Sequence, residues 1–212
     1  MEFLPEEDLI KYKPNFTFPK RYNVDYKYFS VKPVDISWFV DYIITAKTTC
    51  KESSWSDWYF DLGMREESGE LCGVVKRIFR GDYLSDSVEF KEKLFKELGD
   101  VLWYTAMTIL FIFNSDYEFD IAHSKYTLVN YINEKRSKYN CVVSDNIVYN
   151  VKAIQDNAKE IKYIDTALYI LNLIDATAKL MGSSIEEIGL INNIKLKDRC
   201  DRNTISGTGD NR

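Results

Sequence analysis

Between Leu62 and Arg80 apolar residues recur at the spacing of a helix, and two carboxylates fall among them. At about 100° per residue, Met64, Leu71, Val74, Val75 and Ile78 share one arc. Glu67 lies inside that arc and Glu70 at its edge. An ionised carboxylate is costly to bury without compensation. Any fold of this chain must therefore bring a compensating charge to that face. Gly81 predicts the end of the helix, in the usual position for a C-terminal glycine.

A second segment repeats the arrangement. A helix is predicted from about Val88 to Phe113, with Phe90, Leu94, Leu98, Val101 and Thr105 on its buried face. Glu97 and Asp100 are i, i+3 neighbours on the border of that face, and Tyr104 continues the row one turn later. If the two helices pack antiparallel, four carboxylates converge inside the protein. Like charges that close take up protons unless a cation joins them. Magnesium takes hard oxygen ligands and keeps waters that a phosphate can displace. The expectation is a Mg²⁺ site, with Mn²⁺ as a substitute, held by Glu67, Glu70, Glu97 and Asp100. Iron is the competing occupant, but di-iron bundles of this kind use two Glu-x-x-His pairs. The one histidine, His123 in "DIAH", supplies no such pair and is read as a structural or surface residue. A single histidine also argues against paired-histidine metal sites and a Ser-His-Asp triad.

The remaining chain reads as further helices. Residues 1–33 mix Pro, Lys and Tyr without a period and form an irregular arm ahead of a single helical domain, 34–212. A first helix is predicted over Asp35–Cys50, followed by a polar, tryptophan-bearing connection through "KESSWSDWYFDLG". "NSDYEFD" and "KYNCVVSD" read as breaks, and helical spacing returns at Ile147, Val151 and Ile154. A central helix, apolar on most sides, spans Tyr163–Met181 and is closed by Gly182. Ser183 and Glu186 form a capping-box pattern that opens a last helix to about Arg199. No segment alternates convincingly as a strand. The predicted fold is all-α, an antiparallel helical bundle.

Composition narrows the function classes. The net charge of −5 argues against a broad nucleic-acid surface. The apolar run Val101–Phe113 is shorter than a membrane span and reads as a buried helix. Cys50, Cys72, Cys141 and Cys200 are widely spaced and form no CxxC, which with the polar, acidic N-terminus implies reduced thiols in a cytoplasmic setting.

On these residues the chain resembles the MazG-like nucleoside triphosphate pyrophosphohydrolases of the all-α NTP pyrophosphatase superfamily. "EESGE" followed by "ELGD", with 26 residues between Glu70 and Glu97, is similar to the family's E-E-x-x-E … E-x-x-D signature. "LGMREESGELCGVVKRIFRG" and "LFKELGDVLWY" extend the likeness, as does the ending "NNIKLKDRCDRNTISGTGDNR". The resemblance covers about 35–113 and 178–212. It is interrupted at about 114–177, read as an insertion serving as a lid, an oligomer contact or a partner-binding element.

The resemblance implies hydrolysis of a nucleoside triphosphate to the monophosphate and pyrophosphate, with a deoxynucleotide as one plausible substrate, by a homodimer or homotetramer. Metal ions bridging carboxylates and phosphates would neutralise charge and lower the pKa of a water. Glu66, on the flank next to Glu70, is the candidate for orienting or deprotonating that water; a first-turn glutamate placed by the helix dipole is the alternative. Lys76, Asn192, Lys195, Arg199 and Arg212 are candidate phosphate contacts, of which Asn192, Lys195 and Arg199 share a helix face. Tyr104, Trp55 and Trp58 are candidates for the base pocket, against a plain core role. Trp103 reads as core or interface. A non-catalytic nucleotide sensor or adaptor on the same fold is the rival function, and a structural helical protein with a fortuitous motif is the third.

Overall fold

The computed structural model describes residues 28–30, 34–116, 121–136 and 142–202. The arm before Tyr28, the breaks at 117–120 and 137–141, and the tail with Arg212 lie outside the described residues, as does the side chain of His123. Seven helices occur among the described residues: α1 (Ile36–Lys47), α2 (Asp57–Arg80), α3 (Val88–Asp116), α4 (Ile121–Arg136), α5 (Ile147–Ala158), α6 (Ile164–Leu180) and α7 (Ile185–Asp201). The fold is all-α, as the periodicity predicts. One feature departs from that reading. Two three-residue strands, β1 (Tyr28–Ser30) and β2 (Val142–Ser144), pair antiparallel with Phe29 opposite Val143. Strands this short show no alternation, and the partners are too far apart in sequence for a hairpin signal.

Helix ends follow local chemistry. Asp35 caps α1 by accepting from the backbone of Ser37 and Trp38. Ser56 caps α2 by accepting from Tyr59 N, so this helix begins five residues before the predicted Leu62. The tryptophan-bearing connection is thus partly helical. Gly81 (φ 82) and Gly182 (φ 70) end α2 and α6 in left-handed conformations, as predicted. The cap of α7 sits one residue later than predicted. Ser184, not Ser183, accepts from Glu187 N, while the Ser183 hydroxyl donates to the Glu187 carboxylate. Both readings satisfy a serine-glutamate spacing, and the backbone turn after Gly182 selects the second.

The short connection after Gly81 folds α2 and α3 into an antiparallel pair. Helix α3 lies at the centre, packed against α1, α2, α6 and α7. It is long and apolar enough to cross a membrane by length and composition alone, but 67% of its apolar window is buried inside this bundle. The predicted faces pack inward: Met64, Leu71, Val74 and Val75 on α2, and Phe90, Leu94, Leu98, Val101 and Thr105 on α3, are buried, while Ile78 is half-buried against the core. Helix α4, within a stretch where periodicity gave no clear element, buries Leu128, Tyr131 and Ile132. Segment 114–177 is not peripheral. It includes α6, whose run from Ile170 to Ala178 is buried at every position, so this segment forms part of the common core.

Candidate metal centre

Antiparallel packing runs the rows of α2 and α3 past each other. Gly63 meets Tyr104, and one to two turns along, Glu67 and Glu70 come to Glu97. Oxygens of Glu67, Glu70 and Glu97 lie within 4.8 Å of one another. Glu67 is half-buried, Glu70 exposed, and Glu97 only 7% exposed. The Oε2 atom of Glu97 is buried without a hydrogen-bond partner, and its other oxygen has Lys96 at 3.7 Å. A buried carboxylate oxygen left without a donor is expensive. The three groups offer hard oxygen donors around a common point, the donor set that a divalent cation such as Mg²⁺ requires.

Electrostatics express the same tension. Burial first, then the charges of Asp100, Glu70, Glu97 and Glu66, push the pKa of Glu67 up to about 8. Burial likewise pushes Glu97 up to about 6; Lys96 opposes this, while Asp100 and Glu70 add to it. Burial and like charge thus favour the protonated form of Glu67.

The expected fourth carboxylate has partners of its own. Asp100 stands outside the 4.8 Å group. Its Oδ1 accepts from Asn192 Nδ2 at 3.0 Å and from Lys195 Nζ at 2.5 Å. The physical reason is that α7, packed against α3, delivers an ammonium and an amide to this carboxylate. Asn192 and Lys195, expected as phosphate contacts, reach this end of the bundle through bonds to Asp100. Arg199 is half-buried further along α7, Lys76 and Glu66 are exposed, and Glu66 is close enough to bear on the charges of Glu67 and Tyr104.

The aromatic candidates separate. Tyr104 lies beside the acidic row, where the Glu67 and Glu66 charges reach it; its pKa is raised, mainly by burial. Trp55 packs edge-on against Phe60 at 5.3 Å and carries Lys47 Nζ over its ring at 3.7 Å, so it serves the core. Trp58 is 76% exposed on the outside of α2. Trp103 is core, its indole N–H donating to Thr49 Oγ1 at 3.0 Å. Sequence reasoning missed Tyr59, whose ring lies 6.0 Å from that of Tyr104. The signal was present, because Tyr59, Gly63 and Glu67 are spaced i, i+4, i+8. Gly63 makes the arrangement possible: a Cβ there would fall 2.1 Å from the Tyr104 ring.

Residues 61–139 match the family model of the MazG nucleotide pyrophosphohydrolase domain. That region is MazG-like. The matched range takes in the acidic residues of α2 and α3 together with Tyr104, and it runs on through α4. Helix α7 lies outside it. No curated protein and no solved structure matched the chain. The MazG-like region supports nucleotide pyrophosphohydrolase activity in general, and the convergent glutamates suit a class that handles phosphates through divalent cations.

Proposed function

We propose that this chain is a Mg²⁺-dependent hydrolase that converts a nucleoside or deoxynucleoside triphosphate to the monophosphate and pyrophosphate. The observation that carries the reading is the convergence of Glu67, Glu70 and Glu97 around a buried carboxylate oxygen with no donor of its own. Glu67, Glu70 and Glu97 would hold the cation, with Asp100 alongside. When bound, Mg²⁺ would supply charge neutralisation for the phosphates and the leaving pyrophosphate. Glu66 orients a water and accepts its proton as the water oxygen bonds to the α-phosphorus and the bond to the bridging oxygen breaks. Lys195, Arg199, Asn192, Lys76 and Arg212 are the candidates to meet phosphate oxygens. Tyr104, joined by Tyr59, offers a flat surface for the base.

The homodimer or homotetramer belongs to the same proposal. Leu190, Ile191 and Ile194, exposed on α7, support it. The deciding measurement is a screen of common NTPs and dNTPs with Mg²⁺ or Mn²⁺ and product identification. Monophosphate and pyrophosphate are expected from at least one substrate, with loss of at least about 10³-fold in Glu70→Ala, in Asp100→Ala and in EDTA. Tight nucleotide binding without turnover would instead support the sensor reading.

A further inference from the structure

The acidic cluster has a buried support that reaches across three helices. Asn192 is 1% exposed and Tyr42 of α1 is 4% exposed. The Tyr42 hydroxyl donates to Asn192 Oδ1 at 3.1 Å, and Asn192 Nδ2 donates to Asp100 Oδ1 at 3.0 Å. The direction of this chain is fixed by chemistry. An ionised carboxylate only accepts, so the Asn192 amide must turn its NH₂ to Asp100. Its carbonyl then faces Tyr42, which must donate. A single amide orientation satisfies all three groups. The close approach of α7 to α3 depends on Gly99, the residue before Asp100: a Cβ there would lie 3.0 Å from Asn192 Cβ and 3.1 Å from its Nδ2.

Both donors to Asp100, Asn192 and Lys195, bond the same oxygen, Oδ1. No hydrogen bond to Oδ2 occurs among the described residues. Asp100 nevertheless follows Glu97 by three residues on α3, so the two carboxylates are neighbours on one helix face. It is therefore held from one side and adjoins the cluster it does not join.

We propose that Tyr42 and Asn192 are positioning residues: they clamp Asp100 through one oxygen and leave the other available to a cation held by Glu67, Glu70 and Glu97. The inference rests on the cation-binding part of the proposed function and not on its catalytic part. Outer partners of this kind orient a ligand, and their loss costs about 10-fold or more in metal affinity.

Mn²⁺ titration followed by electron paramagnetic resonance tests this without any substrate. Tyr42→Phe removes one hydroxyl and leaves the ring; Asn192→Asp keeps the acceptor for Tyr42 and removes the donor to Asp100. Each folded variant is expected to bind Mn²⁺ about 10-fold more weakly than the wild type, Asn192→Asp the more so. With a hydrolysed triphosphate, kcat of Tyr42→Phe should fall while its nucleotide KM changes little. Variants that lower Tm yet bind Mn²⁺ with wild-type affinity would make the network a packing feature and overturn the proposal. If Asn192→Asp fails to fold, Tyr42→Phe alone decides. Wild-type protein that binds no Mn²⁺ also overturns it. Weakened Mn²⁺ binding in a protein that hydrolyses no nucleotide would leave the clamp standing and remove the pyrophosphohydrolase reading.

Discussion

Asp175 in α6 and Glu67 in α2 are both acids drawn into the bundle, and both have raised pKa values with burial as the leading cause. Their surroundings differ in one respect. Asp175, 2% exposed, has Lys179 one turn later on its own helix, Nζ to Oδ2 at 2.8 Å. Glu67 has only like charges: Glu66, Glu70, Glu97 and Asp100 all raise its pKa. The first acid carries its cation in the sequence, at i+4. The second must obtain one from solution. The contrast separates a buried charge that belongs to the fold from a buried charge that waits for a ligand.

The largest test of that contrast removes the built-in cation. Lys179→Met should leave Asp175 uncompensated, as Glu67 is, and cost about 3 kcal/mol in urea unfolding. Added Mg²⁺ should not restore it, because Glu186, which bears on Asp175, builds no three-carboxylate group with it among the described residues, as Glu70 and Glu97 do with Glu67. Next in size is stabilisation by the ion itself. Mg²⁺ at about 100 times its Kd should add about 2.7 kcal/mol to wild-type stability. Glu67→Gln should lose most of this gain while raising the stability of the metal-free protein, and Asp175→Asn should retain it. Equal Mg²⁺ responses in all three proteins would erase the distinction.

A further test is in pH. The folded pKa of Glu67, about 8, lies above its ordinary value of 4.5. The metal-free folded state therefore holds an extra proton between those values, and its stability declines as pH rises from about 4.5 to about 8, then levels. Cation binding must displace that proton. Mn²⁺ affinity should accordingly rise by up to about tenfold per pH unit between 6 and 8 and flatten above. Affinity that stays flat across this window would show that Glu67 is not a ligand.

Legibility in the sequence follows the range of the interaction. The helical faces of α2 and α3 and the end at Gly81 depend on residues within a turn or two, and each was readable. The start of α2 was missed because Ser56, its cap, lies among residues that look like a polar connection. Helix α4 gave no clear period, and the β1–β2 ribbon depends on a distant pairing. In the site, Glu67, Glu70 and Glu97 were readable because two regular helices must align their rows. Trp58 was a candidate because it precedes the acidic residues in sequence, but its side chain faces water, while that of its neighbour Tyr59 faces Tyr104.

By itself, the sequence determined that carboxylates would sit on the inward border of two adjacent helices, since helical period and apolar patterning are local and additive. Only the tertiary structure decided which of them would lack a partner. Asp100 is engaged by Asn192 and Lys195 because α7 returns to α3 across more than ninety residues, and Coulomb energy depends on final separations in space that no spacing along the chain encodes.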